Sequence, residues 1–149
     1  MIRIGRLTDY GIIVMTHLAH DPGRVHNAHE VARAAHLKLP TVSKLLRILA
    51  RTGLLTSHRG INGGYSLARP PQAISVAEVI RALEGPIGLT ACTIDSPGEC
   101  EFEPTCPVRG HWQKINRAIR DALDGVSIAQ LAAPAPPAVA GDGLARVGV

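Results

Sequence analysis

Aromatic residues are almost missing: one Trp, one Phe and two Tyr among 149 residues, or 3%. Any core must therefore be aliphatic, and a hydrophobic content of 46% with a mean hydropathy of +0.13 is enough to build one. Long apolar runs are also missing. None approaches the roughly 18 residues that a membrane helix needs. The opening MIRIGRLTDYG lacks the apolar stretch and small-residue cleavage site of a secretion signal, so a cytoplasmic location is expected. No G-x-S-x-G, P-loop or HExxH motif occurs, and no enzyme is expected. Acidic residues are scarce in the first half. Residues 1–72 hold 10 Lys/Arg against 3 Asp/Glu, a charge of +7, whereas residues 73–149 hold 6 against 9, a charge of −3. A basic first half suits a polyanion such as DNA, although a pI near 9.3 is common and is weak evidence alone.

Cysteine is scarce too, and all of it falls in one stretch, Thr90 to Trp112, as C-x7-C-x5-C: Cys92, Cys100 and Cys106. An odd count argues against a disulfide framework. In a reducing compartment, clustered thiols bind metal or do redox chemistry more often than they bridge. Asp95, Glu99, Glu101 and Glu103 lie in the same stretch, and Pro97, Gly98 and Pro104 rule out a regular helix or strand through it. A loop of this length is usually functional or disordered.

The rest of the chain reads as short helices around one hairpin. Helix 1 is expected from Thr8, as N-cap, to about His20, with Asp9 in its first turn. Helix 2 runs from Asn27 to Ala35, with Asn27 and Glu30 spaced as a capping box. Helix 3 starts at Pro40 and runs to about Thr52, before Gly53. Val42, Leu45, Leu46 and Leu49 form its apolar face. Thr41, Ser43, Lys44, Arg47 and Arg51 form the opposite, basic and polar face. Strands Leu54–His58 and Tyr65–Ala68 flank a turn dense in Gly and Asn, with Arg59 at the tip. A hairpin directly after a helix pair makes a winged helix-turn-helix, and the wing arginine suits a narrow minor groove. Ser75 to Leu83 is a further helix with a Ser75/Glu78 capping box. A long helix follows from about Pro107 to Leu123. Its apolar stripe of Trp112, Ile115, Ile119 and Leu123 reads as a dimer interface or as intrachain packing. Lys114, Arg117, Arg120 and Asp121 lie on its other face. Residues 126–132 read as one more helical turn.

RLTDYG, RGINGGYSLAR, ISVAEVIRALEG and three cysteines followed by a Trp-containing helix resemble the IscR/NsrR/Rrf-two family of bacterial transcription regulators, over about residues 1–132. Within it the cysteine loop looks most like regulators of the SUF iron–sulfur assembly operon. The resemblance implies a mainly α fold with a small β-hairpin wing, a winged helix-turn-helix plus a long C-terminal dimerisation helix. It divides its span into a DNA-binding domain (1–84) and a cysteine loop with dimerisation helix (85–132); residues 133–149, rich in Ala, Pro and Gly, read by composition as a disordered tail. By position, Pro40, Thr41 and Ser43 match major-groove contacts and Arg59 the minor-groove arginine; Lys38, Lys44 and Arg47 are the further DNA contacts expected at the basic face. Cys92, Cys100 and Cys106 match ligands of an iron–sulfur cluster, [2Fe–2S] or [4Fe–4S]. A histidine that serves some members as fourth ligand is replaced here by Arg109, which cannot ligate. Asp9, supplied by a partner chain, is the alternative used by other members, and His111 is a weaker candidate.

The expected function is thus a homodimeric repressor of iron–sulfur assembly genes that binds an operator in double-stranded DNA and senses cluster status. A nitric-oxide or redox-sensing repressor of the same family is the alternative, and a cluster-carrying scaffold or electron carrier is the reading from another class. At the loop itself, tetrahedral zinc and a thiol-only redox switch compete with a cluster. Structural zinc usually takes C-x2-4-C spacing, which is not found here.

Overall fold

The computed structural model describes residues 3–94 and 100–134, apart from the side chain of Glu103. Six helices are found there: α1 (Arg6–Ala19), α2 (Ala28–Ala34), α3 (Leu39–Arg51), α4 (Val76–Glu84), α5 (Arg109–Asp124) and α6 (Ile128–Ala132). Strands β1 (Leu55–His58) and β2 (Gly64–Leu67) form an antiparallel hairpin in the register Leu55↔Leu67 to His58↔Gly64. Short 3-10 turns occur at Pro71–Ala73, Ala91–Thr93 and Glu103–Thr105. The expected mainly α fold with a hairpin wing is what the chain adopts. The expected tail, beyond Pro134, lies outside the described residues, as do Asp95, Pro97, Gly98 and Glu99.

The core is aliphatic, as the shortage of aromatics requires. Val14, Met15 and Leu18 of α1, Val31 of α2, Val42, Leu45, Leu46 and Leu49 of α3, and Val79 of α4 are all fully buried. α1 and α4 approach closely at Gly11, where a Cβ would collide with the Leu83 side chain. α6 turns back across α1 and adds a fully buried Ile128 to the same core. Its entry is pinned by backbone bonds from Val76 N–H to the Val126 carbonyl and from Ile128 N–H to the Ile74 carbonyl, both 2.9 Å.

Most helix ends follow the local signals. Asn27 accepts from the Glu30 N–H at 2.9 Å, and Ser75 and Glu78 form a reciprocal capping box. The readings at the starts of α1 and α2 need correction. Thr8 is not a cap. α1 begins earlier, at Arg6, because Gly5 accepts the first helical bonds and its own N–H donates to Glu84 Oε1 at 2.8 Å, a long-range contact that no local signal carries. Thr8 lies inside the helix, fully buried, with Oγ1 lacking a partner. The Asn27/Glu30 pair is only half a box, since the Glu30 carboxylate pairs with Arg24 at 2.6 Å instead.

Candidate nucleic-acid interface and cysteine segment

The turn between α2 and α3 sets the pose of α3. α2 ends in a Schellman arrangement, with Leu37 N–H donating to the Ala32 carbonyl at 3.0 Å and His36 N–H to that of Arg33 at 3.3 Å. This places His36 at φ +53°, a left-handed conformation that normally favours glycine. α3 ends in the same way, with Gly53 at φ +80° in the equivalent position. Leu39 rather than Pro40 is the first residue of α3, so Pro40 is one position further in than expected.

With Val42, Leu45, Leu46 and Leu49 inward, α3 turns Pro40, Lys44, Arg47 and Arg51 outward; Thr41 and Ser43 are half-buried at the margins. Lys38 precedes the helix and is exposed, and α3 contains no acid. Among the described residues Lys38, Lys44, Arg47 and Arg59 form no ion pair. Arg24, Arg69 and Arg81, by contrast, are held by Glu30, Glu78 and Asp124 at 2.6, 2.7 and 2.6 Å. The charges of the α3 face and wing tip are therefore uncommitted and available to phosphates.

The wing is built for close backbone approach. At Gly63 a Cβ would strike the His58 carbonyl, and at Gly64 that of His26. Tyr65 N–H and the His26 carbonyl, and the reverse pair, are joined at 2.8 Å, so the chain before α2 serves as a short third strand against the hairpin. Arg59 stands exposed at the turn.

The cysteine segment is tied to α5 by polar bonds. Asn116, the one buried residue of α5, accepts from Leu89 N–H and donates to the Ile87 carbonyl, each at 3.2 Å. Arg120 Nε donates to the same Ile87 carbonyl at 2.9 Å and its Nη2 to the Thr93 carbonyl at 3.1 Å. The apolar periodicity of α5 puts Arg120 on the face opposite the stripe and gives no sign of Asn116. An Asn in mid-helix, where it is intrinsically unfavourable, was the available signal. Of the apolar stripe, Leu123 packs against the core, whereas Trp112 and Ile115 are exposed, at 37% and 45%.

All three cysteines are free and half-buried. Cys92 lies in the Ala91–Thr93 turn, with Sγ 3.2 Å from Thr90 Oγ1, and lines a cleft of about 520 Å³ with Asn116, Arg117 and Arg120. Cys106 follows the Glu103–Thr105 turn, just before α5. Among the described residues, no three His, Cys, Asp or Glu side chains are grouped to hold a metal ion. Asp9 is exposed in the first turn of α1, in a separate cleft with Arg3, Ile4, Arg6 and Ile12. His111 is exposed on α5. No helix among the described residues is long and apolar enough to cross a membrane.

Residues 4–134 match the family model of Rrf2, described as an iron-dependent transcriptional regulator. The chain is similar to the CymR (YrzC) global cysteine regulator of Bacillus subtilis, at 30% identity over 89% of this chain and 97% of that one, with a TM-score of 0.69. It is also similar to IscR of T. potens, at 27% identity over 91% and 94%, with a TM-score of 0.67. The oxidized form of Staphylococcus aureus CymR matches at 28% identity over 91% and 100%, again with a TM-score of 0.67. A two-stranded wing behind an uncommitted basic helix, in a chain matched over nearly its full length, settles the class: the protein belongs to the Rrf2 family of winged-helix, DNA-binding transcription regulators and is not an enzyme.

Proposed function

We propose that this regulator is a cytoplasmic homodimer that represses iron–sulfur assembly genes of the SUF type. Cys92, Cys100 and Cys106 hold an iron–sulfur cluster, [2Fe–2S] or [4Fe–4S]. The observation that carries the reading is the polar clasp from Asn116 and Arg120 to the backbone around Cys92, on a helix whose Trp112 and Ile115 stand uncovered. The donors fit by chemistry rather than by arrangement: three free, half-buried thiols within one stretch are the soft ligands that iron–sulfur clusters require, although the described residues do not group them. Asp9 of the partner subunit is the proposed fourth ligand, since it is exposed and Arg109 cannot ligate; His111 is the second candidate.

When bound, the cluster supplies an iron- and redox-sensitive link between thiolates. The chain's own residues do the rest. Arg120 and Asn116 transmit the position of the 87–93 backbone to α5. Trp112 and Ile115 carry it to the partner, and the pairing of two α5 helices fixes the separation of the two α3 helices. Dimeric helix-turn-helix proteins read half-sites about one DNA turn apart, so a small change in that separation changes operator affinity. Such coupling requires different affinities in the two states. Lys38, Pro40, Thr41, Ser43, Lys44 and Arg47 meet the major groove and its phosphates, and Arg59 meets the minor groove.

Anaerobic purification with absorbance, iron and sulfide assays tests this. A coloured protein should bleach in Cys92→Ala, while Arg59→Ala keeps the colour and loses operator affinity. Lys44→Ala should weaken binding to all sequences and reduce the salt dependence by about one phosphate contact. A colourless protein that still represses with all three cysteines changed to Ala would overturn the sensor. The second reading, a thiol-only redox switch, is favoured by Cys92 being half-exposed in a cleft lined by Arg117 and Arg120. It predicts a colourless protein whose DNA binding responds to peroxide and to Cys92→Ala.

A further inference from the structure

The base of the wing contains a cluster of ionisable groups that neither DNA contact nor the cysteines account for. The His26 backbone pairs with Tyr65 of β2, and its side chain is 3% exposed. Its Nε2 lies 3.2 Å from the Asp21 carbonyl, an acceptor only, so Nε2 carries a hydrogen. Its Nδ1 is buried and has no hydrogen-bond partner. The nearest carboxylate, Glu30 Oε1, is 3.9 Å away and engaged with Arg24. His17 of α1 meets His26 edge-on, ring centroids 5.6 Å apart, and its Nε2 is likewise buried and unpartnered. Buried polar atoms without partners are uncommon, and two on facing imidazoles need a reason.

The surroundings give one. His17 faces His20 on its own helix, Arg24 in the turn, and His26 and Glu30 from the second helix and its approach. Asp21 and Tyr65 bracket His26 through their backbones. Burial is the main reason that the His17 pKa lies below its ordinary 6.5. His26, His20 and Arg24 push the same way, and Glu30 opposes them. Packing against His26, whose backbone carries β2, thus favours the neutral form of His17.

We propose that His17 and His26 form a titratable lock that positions the wing: with His17 neutral, β2 stays against the chain before α2, and proton uptake by His17 loosens it and lowers operator affinity. A loosened wing exposes His17, which then titrates near its ordinary value, so the loosened state binds more protons than the docked one. Docking is complete above pH 6.5 and is lost as pH falls through the depressed value. Acidification also strengthens phosphate attraction at any exposed imidazole, in every variant alike. The signature is therefore a difference between variants rather than the bare wild-type profile.

The loss of DNA affinity rests on the reading that the wing touches DNA; the lock itself does not. Amide exchange at Tyr65, followed by NMR on the full chain from about pH 8 to about pH 5.5, reads the lock directly. Protection should fall in the wild type by up to about tenfold per pH unit, the limit for uptake of one proton, and stay level in His17→Gln. In parallel, anisotropy with the tightest duplex recovered from a randomised pool should show wild type losing affinity relative to His17→Gln over the same range. Equal protection profiles in the two proteins would overturn the lock. If His17→Gln does not fold, the wild-type ring titration replaces it, and His17 taking up its proton without change at Tyr65 overturns the proposal. Protection that responds to pH while Arg59→Ala leaves affinity unchanged would keep the lock and refute wing–DNA contact.

Discussion

The winged helix and the cysteine segment with α5 are built on opposite terms. The winged helix closes a fully buried aliphatic core, ends α2 and α3 in Schellman turns, caps α2 and α4, and leaves exposed the cations of α3 and the wing together with scattered apolar residues, Ile4, Ile13 and Ile61. α5 buries one residue, and that residue is polar. Phe102, Val108, Trp112 and Ile115 are exposed at 37–73%, while backbone carbonyls are satisfied by Asn116 and Arg120. The first region is complete within one chain. The second holds its shape through a few polar bonds and leaves apolar surface uncovered, which suits a part that must meet a partner and move.

The largest test of that contrast sets one apolar residue from each region against the other. Leu46→Ala opens a cavity in a closed core and should cost about 2–5 kcal/mol, read as a lower thermal midpoint. Trp112→Ala removes a larger side chain but should leave the unfolding of the monomer nearly unchanged. Its expected effect is on association, seen as a shift towards monomer in analytical ultracentrifugation. A Trp112→Ala protein that melts as early as Leu46→Ala would show that α5 belongs to the core after all.

A smaller effect is expected from the polar clasp. Arg120→Ala leaves the Ile87 and Thr93 carbonyls without that donor, for about 1–3 kcal/mol of local stability. The cost should fall on the 87–93 segment rather than on the core. Cys92 should react several-fold faster with a thiol reagent while far-ultraviolet circular dichroism holds. An unchanged rate at Cys92 would mean that the clasp does not restrain the segment.

The same contrast explains what the sequence made legible. The winged helix was readable because its signals are local: the 42-45-46-49 stripe, Ser75 with Glu78, and the glycines of the wing. The start of α1 was not, because it is set by Glu84 from far along the chain. The inward face of α5 was not, because periodicity finds apolar stripes, and here the face turned inward is Asn116 and Arg120. The three thiols were legible by count and spacing. Their arrangement was not, since it depends on contacts that spacing does not encode. His36 escaped notice because a histidine in a glycine-like position leaves no mark in composition.

Capping gives the next effect. Ser75→Ala removes one half of the box on α4 and should cost about 1 kcal/mol. Burial raises the Glu78 carboxyl pKa, but the Ser75 N–H and Arg69 outweigh it, so the value lies below the ordinary 4.5. The stabilisation from ionised Glu78 is therefore present above pH 4.5 and lost as pH falls through the depressed value. Glu78→Gln should flatten that part of the acid unfolding profile. A profile identical to wild type would remove the carboxylate from the account of α4.

The smallest expected effect is a gain. α2 and α3 end in the same hydrogen-bonded turn, one with His36 and the other with Gly53 at the left-handed position. A side chain there costs about 1–2 kcal/mol, and glycine gives back part of this in backbone entropy. His36→Gly should then stabilise the protein by about 0.5–1 kcal/mol. His36 is exposed just before Lys38, at the edge of the α3 face, so its strain is not repaid by packing. If DNA affinity falls as stability rises, the histidine is retained for contact with phosphate, and the winged helix too carries a part that is not there for stability. If both improve together, the strain serves no purpose in binding, and the winged helix is less finished than its caps and core suggest.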